Sequence, residues 1–452
     1  MTRHPFEVNR WWVSSLIGIA AALAIYLTYY VWHHITAADP RGDFSYFYTA
    51  AQAMTHGQDI YTAQPFDKPR PGYIYPPLIA FLYQPLTSLS VAWAARMSLL
   101  VNVSAIGLSL AFASKAVLER LGRKQCWQVV LAVAVIAALL SADKIKSELQ
   151  MLQTNALITL GITLGLYFLD RKPFWAGAAL GFALNIKYQA IALLLYLLCR
   201  KRFKTAGATV LWTLIWGFIP AFSVGLGREA HYLVQGFAGV LRLVGLNFGN
   251  DVANVEPISS GFSVSITSAA ARFTESHGLA ISPFLIAGII AIVWLILLAT
   301  MIRAHHLPVL AWPSALGQQL PPWDLLVAIE WVAVVASVLA FSPQTNMRHI
   351  VLTTLINVLG VAIAWQAKNK NRWIAIAGLA ILWMGLNLPF GQRVDARENP
   401  IIAFSHRVGG PTWVILLATA LIAWVGFSLA SQQASPEAHE VPVDNAQAVP
   451  CA

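Results

Sequence analysis

The stretch PFWAGAALGFALNIKYQAIALLLYLL, residues 173–198, decides how this chain must be threaded. It is apolar except at its centre, where Asn185, Lys187 and Gln189 fall close together. Basic residues flank it on both sides, Arg171 and Lys172 before it and Arg200, Lys201, Arg202 and Lys204 after it. Compact Lys and Arg clusters mark the cytoplasmic connectors of a membrane protein, so one straight crossing would put a cluster on the wrong side. Two short helices folded back keep both clusters inside. Each arm of about 12 residues then reaches only about 18 Å into a hydrocarbon core about 30 Å thick. The expectation is a broken hairpin whose tip carries Asn185, Lys187 and Gln189 and faces protein or a water-filled cavity, since lipid cannot satisfy polar groups at that depth.

The rest of the chain agrees with that setting. Its 452 residues are 58% hydrophobic and only 11% charged, where a soluble protein carries about 25% charged residues. Apolar runs recur near 11–32, 93–117, 127–141, 155–169, 205–227, 281–302, 323–341, 349–366, 373–390 and 411–430. These runs are too long for barrel strands, which leaves an all-α polytopic membrane protein with about ten full transmembrane helices plus the two-helix hairpin. Further basic clusters at Arg120/Arg123/Lys124 and Lys368/Lys370/Arg372, with Arg3 and Arg10, put both termini in the cytoplasm of a cell inner (plasma) membrane protein. The first apolar run lacks a small-residue cleavage site and reads as a retained anchor. Residues 1–430 form one transmembrane domain, and the polar, acidic segment 431–452 reads as a disordered cytoplasmic tail.

Several function classes are disfavoured. The net charge of +10 sits in connectors as an orientation signal, so no nucleic-acid partner is implied. Cys126, Cys199 and Cys451 show neither metal nor disulfide spacing. There is no Walker loop, dinucleotide fingerprint, HExxH or D-x-D pair, which speaks against ATP-driven transport, dinucleotide chemistry, zinc proteolysis and metal-bound nucleotide sugars.

The long connectors all fall on the non-cytoplasmic side, at 33–92, 142–154, 228–280, 342–348 and 391–410. Long loops are usually functional. The first begins with DPRGDFSYFYTAAQAM, residues 39–54, directly after the first span. Asp39, beside Pro40, suits a turn. Asp43 either caps a helix starting at Phe44 or presents a carboxylate that takes a proton from a bound hydroxyl. The helix after it reads as amphipathic and interfacial, with Tyr46, Phe47 and Tyr48 at headgroup depth.

This pattern, GDFSYFYTAAQAMTHGQDIY followed by YIYPPLIAFLYQPL (73–86), resembles glycosyltransferase family 87, with its polyprenyl-phosphate-mannose-dependent mannosyltransferases and related arabinofuranosyltransferases. QTNALITLGITLGLYFL (153–169), AGAALGFALNIKYQAIALLLYLLCRKR (176–202) and LAFSPQTNMRHIVL (339–352) extend the resemblance over most of residues 40–365. The resemblance implies a GT-C fold with extracytoplasmic loops and short interfacial helices. It also implies sugar transfer from a polyprenyl-phosphate donor to a glycolipid or glycan acceptor, with Asp43 at the position of the proposed catalytic base. The family's late SP…H element falls on Ser342, Pro343 and His349, with Arg348 where a less basic residue is expected.

The chemistry can also be set out from the residues. Transfer from a lipid phosphate needs a base, cations for the departing phosphate and a greasy groove for the prenyl chain. Lys187 and Arg348 stand at membrane depth or its edge, where an ionisable group is a functional candidate. With Arg41 they are the expected phosphate-binding set, while snorkelling to the surface competes as an explanation for Arg348. His349 is placed to share a proton with Asp43, or is simply hydrogen-bonded at a helix start. Tyr48, Tyr75, Gln153 and Asn155 are candidates for binding acceptor or sugar. Helix capping is an equal alternative for Gln153 and Asn155, and a rigid surface loop is one for the Tyr73/Tyr75 cluster. Glu330, inside an apolar span, needs a partner and suits structural pairing. A monophosphate leaving group can be held by Arg and Lys alone, so no metal and no cofactor is expected. The partners are the lipid donor, the acceptor and membrane lipids, in a monomer or an oligomer of unknown order. A transporter or flippase for lipid-linked saccharides is the competing reading, since broken helices and buried charge also mark transporters. A non-catalytic assembly subunit is a third.

Overall fold

The computed structural model describes residues 10–37, 42–67, 70–122, 127–243, 256–309, 321–387 and 400–434. The helices in chain order are α1 (Arg10–Ala37), α2 (Phe44–Thr55), α3 (Pro77–Tyr83), α4 (Val91–Arg120), α5 (Trp127–Leu140), α6 (Ala142–Met151), α7 (Asn155–Phe168), α8 (Pro173–Leu184), α9 (Ile191–Cys199), α10 (Phe203–Phe218), α11 (Ala221–Val224), α12 (Leu226–Leu243), α13 (Ile266–Ser276), α14 (Pro283–Ala304), α15 (Pro321–Phe341), α16 (Thr354–Gln366), α17 (Asn369–Asn387), α18 (Pro400–Arg407) and α19 (Gly410–Ala434). Among the described residues there is no strand, only an isolated antiparallel bridge between Ser263 and Asn346.

Among the described residues six helices are long and apolar enough to cross a membrane: Val91–Arg120, Phe203–Val224, Pro283–Ala304, Asp324–Phe341, His349–Gln366 and Gly410–Gln433. Counting the bent pair α5 and α6 as one span makes seven. The sequence led us to expect about ten. Two of the expected spans are short helices. α5 and α7 each run for 14 residues, about 21 Å, which is short of a bilayer core. α5 then turns through 71° into the polar α6.

The expected break in 173–198 is present. α8 ends at Leu184, a 3-10 turn occupies Tyr188–Ala190, and α9 follows. Asp170, before α8, accepts an ion pair from Arg202, after α9, so the two ends of the segment meet at one level. α8 rests on α7 and α10, and close approach there depends on small residues. Ideal Cβ atoms at Gly177 and Gly181 would come within 2.5 Å of Ala208 and 2.7 Å of Thr213, and one at Gly161 within 2.8 Å of the Ala179 carbonyl. Small residues four apart let membrane helices pack backbone to backbone. The match of 177 to 208 and 181 to 213 makes α8 and α10 run in the same direction. α7 runs antiparallel to α8, Gly161 meeting Ala183 and Gly165 meeting Leu180, which brings the helix start at Asn155 and the tip at Lys187 to the same end of the molecule.

That end also gathers the loops. Val264 N–H donates to the Thr345 carbonyl at 2.7 Å, the Thr412 hydroxyl to the Val264 carbonyl at 2.9 Å, and the Tyr61 hydroxyl to the Tyr75 and Tyr232 carbonyls at 3.1 Å each. Arg272 reaches the carbonyls of Ser260, Ser263 and His406 and locks three segments together. α2 differs from its expected role. Phe44, Phe47, Tyr48, Ala51 and Met54 are buried, so it is a core element of this loop layer and not a helix lying on the bilayer surface. The helix is amphipathic, as expected, but its apolar side packs on protein, leaving Tyr46, Thr49, Gln52 and Thr55 partly or fully exposed on the other.

Candidate functional site

Gly42, with φ of 106°, occupies the left-handed region open to glycine and turns the chain into α2. Asp43 stands at the N-cap position, yet its side chain makes no capping bond. Its Oδ2 instead accepts from Arg348 Nη1 at 2.5 Å. This removes helix capping as the explanation of the carboxylate. Among the described residues Oδ1 has no hydrogen bond, and the remaining guanidinium donors of Arg348 are likewise uncommitted. Asp43 is 14% exposed and Arg348 34%, so the pair opens to one side. Burial works against the Arg348 charge, but the Asp43 carboxylate outweighs it and holds the guanidinium above its ordinary value.

Asn155 is the hub behind this pair. Its Nδ2 donates to Glu148 Oε2 at 2.9 Å and to the Arg348 carbonyl at 3.3 Å, and its Oδ1 accepts from Lys187 Nζ at 2.6 Å. The N-cap of α7 is Thr154, so Asn155 is not a capping residue. The Lys187 ammonium also lies 5.2 Å from the centre of the Tyr75 ring, a cation–π contact. Burial, and then the Asp43 charge, push the Tyr75 phenol well up. The same two causes raise Tyr46. One short span of structure thus assembles a carboxylate with a free oxygen, two cations with free donors and an aromatic wall. It can take a proton and hold an anion.

The other expected residues divide. His349 Nδ1 accepts from the Asn346 N–H at 3.3 Å and meets Gln189 Nε2 at 3.2 Å, and no hydrogen bond joins it to Asp43. Gln153 is buried beside Asn155, with its Oε1 lacking a partner. Tyr48 is in the core, stacked on Phe44, with its hydroxyl given to the Leu89 carbonyl at 3.1 Å. Tyr73 is a loop brace, donating to the Pro76 carbonyl at 2.7 Å. Arg41 and Asp39 lie outside the described residues.

Glu148 was not singled out in the sequence. It is fully buried, with Oε1 taking the Ala156 N–H at 3.0 Å and Oε2 the Asn155 amide. In sequence it reads as one more charge in a polar connector. A signal was available: on a helix Glu148 shares the face of Ile145, Leu149 and Leu152, all buried.

A second acid, Glu229 on the surface helix α12, is buried with neither oxygen hydrogen-bonded. Burial pushes it up to about 8. A 320 Å³ groove lined by Ile136, Trp365, Arg372 and Ile376 lies at the opposite end of the bundle, where Arg372 is committed to the Ala367 carbonyl at 2.9 Å.

Fold and site together describe a helical membrane protein with a polar, charged reaction-capable centre under a loop layer. Residues 73–317 match the model of glycosyltransferase family 87, and the chain belongs to that family. The matched segment contains Glu148, Asn155 and Lys187. Asp43 and Arg348 lie beyond its two ends and are joined to it by the contacts above. No curated protein matches the chain.

Proposed function

We propose that this membrane glycosyltransferase has the GT-C fold and moves one sugar, mannose by family precedent, from a polyprenyl-phosphate donor to a lipid-linked or periplasmic glycan. The reaction takes place on the extracytoplasmic side. The observation that carries this reading is the free Oδ1 of Asp43 beside two cations with donors to spare. The acceptor hydroxyl gives its proton to Asp43 as its oxygen forms a bond to the anomeric carbon. The bond from that carbon to the phosphate oxygen breaks, and the electron pair leaves with polyprenyl phosphate. One displacement inverts the anomeric centre and needs no covalent enzyme intermediate. Arg348 and Lys187 neutralise the departing phosphate, the task that cations perform in such transfers, so neither metal nor cofactor is required.

Arg348 lies between base and phosphate. Its Nη1 is held by Asp43 while the side chain is 34% exposed, so one guanidinium can orient the carboxylate and bind the donor at once. The test is incubation of purified protein with polyprenyl-phosphate sugars and glycolipid acceptors. Asp43→Asn keeps shape and removes the base, and transfer should fall by about 100-fold or more. Donor binding without transfer in wild type, with movement of the lipid between leaflets, would favour the flippase reading instead.

A further inference from the structure

Glu148 has no place in the transfer steps above, yet it is the most deeply enclosed charge near them. Its two oxygens are both used. Oε1 fixes the first turn of α7 through the Ala156 N–H, and Oε2 takes the Asn155 amide. The α6–α7 turn that follows it is tight, with Leu152 left-handed at φ 48°. These contacts settle which way the Asn155 amide faces. Its NH₂ group is opposite a carboxylate and a backbone carbonyl, both acceptors only, so the oxygen must face Lys187, a donor only. Were the amide reversed, two acceptors would face its oxygen and two donors would meet at Lys187.

Among the described residues Lys187 forms no ion pair, and of its three N–H donors one is given to Asn155. A lysine stem is flexible and its ammonium is a strongly hydrated point charge. Leaving it half-buried with one neutral acceptor and an aromatic face would be costly without a compensating anion close by. Glu148 supplies that anion one amide away, and it does not consume a single Lys187 donor.

We infer that Glu148 is a positioning residue for the donor-binding centre: through Asn155 it aims the Lys187 ammonium, and through the same amide it ties Lys187 to the Arg348 backbone, so that the two cations grip one phosphoryl group together. The inference rests on the reading of the donor as a lipid phosphate. It names a buried carboxylate, not touching substrate, as the determinant of donor affinity. The ligand class is a phosphate monoester or diester on a long isoprenoid, recognised at its phosphate and not at its sugar.

The experiment uses the full chain in lipid nanodiscs and the probes polyprenyl phosphate and the uncharged polyprenol. Wild type should bind the phosphate and not the alcohol. Glu148→Gln should weaken polyprenyl-phosphate binding, and raise the donor KM, by about tenfold with kcat within about twofold, the size seen when the support of a ligating group is removed. In a Lys187→Met background the same Glu148→Gln change should cost less than about twofold, because the residue it positions is gone. Asn155→Leu, which cuts the link and keeps Glu148, should reproduce the tenfold loss of polyprenyl-phosphate binding and its disappearance in the Lys187→Met background, and serves if Glu148→Gln folds poorly. A full tenfold loss from Glu148→Gln in the Lys187→Met background would overturn the inference, as would unchanged phosphate binding in both single variants. Wild type that fails to distinguish polyprenyl phosphate from polyprenol would overturn the donor reading and this inference with it. Tight wild-type binding with unchanged Glu148→Gln would overturn this inference alone.

Discussion

The molecule buries charge at both ends of its helix bundle, and the two ends treat it differently. At the end away from the loops, Arg120 donates to the Ala116 and Leu166 carbonyls and to Asp170 Oδ2, and Arg202 takes the other Asp170 oxygen. Nearby, Glu330 Oε2 receives both Arg200 Nε at 2.6 Å and the Tyr196 hydroxyl at 2.8 Å. Those charges are turned on one another and on backbone carbonyls, and the Arg120 Nε left without a hydrogen bond is buried where no ligand reaches it from solvent. At the loop end, among the described residues, the Asp43 carboxylate keeps an oxygen, and Arg348 and Lys187 keep donors. A closed network of buried charge fixes helices against each other, whereas an open one can accept a ligand. On this difference rests the proposal that the loop end, and not the opposite one, binds the donor.

The contrast can be broken experimentally. The largest effect should come at the closed end. Glu330→Gln leaves Arg200 buried without its anion, and losing one member of a buried pair costs about 3–5 kcal/mol. Thermal unfolding in detergent should report that loss, while kcat per folded molecule stays at the wild-type value. A catalytic defect with unchanged stability would mean that the closed cluster is not merely structural. At the open end the pattern should reverse. Arg348→Met should weaken donor binding by about 100-fold, the scale for a partly desolvated charge-assisted contact, with a smaller change in melting temperature than Glu330→Gln because the Asp43–Arg348 pair is partly exposed.

The smallest effect concerns Glu229, which belongs to neither network. Its folded-state value is raised from 4.5 to about 8 by burial, so the fold favours its protonated form. The fold is therefore most favoured, in this respect, below about pH 4.5, and loses stability as the pH rises towards 8. Glu229→Gln should erase that slope and add about 1–2 kcal/mol more stability at pH 8 than at pH 5 once partial solvation is allowed for, read as the larger rise in melting temperature at pH 8. An equal change at both values would show that the carboxyl is already solvated or paired.

Much of this was legible before any coordinates. The break at 185–187 followed from charge on both flanks of a greasy segment, and Lys187 and Arg348 from the cost of placing cations near lipid. Glu330 was expected to be paired, and it is. Other features were hidden for identifiable reasons. Hydropathy counts apolar length and is blind to bends, so α5 and α6, which meet at 71°, and the 14-residue α7 looked like full or nearly full spans. Aromatic residues suit both a headgroup layer and a packed core, so Tyr48 was assigned to the first and lies in the second. Glu148 sits among Lys144 and Lys146 in a polar connector, and only the helical register of Ile145 and Leu149 reveals that it points inward. Asp43 to Arg348 is a contact across 305 residues of chain, which no local pattern encodes.

The account turns on the open carboxylate, and the most direct measurement is the single-turnover rate of Asp43→Asn with saturating polyprenyl-phosphate sugar and acceptor. Donor binding should be retained within about threefold while the transfer rate falls by about 100-fold or more. Transfer at the wild-type rate, with donor bound, would contradict the assignment of Asp43 as the group that takes the proton.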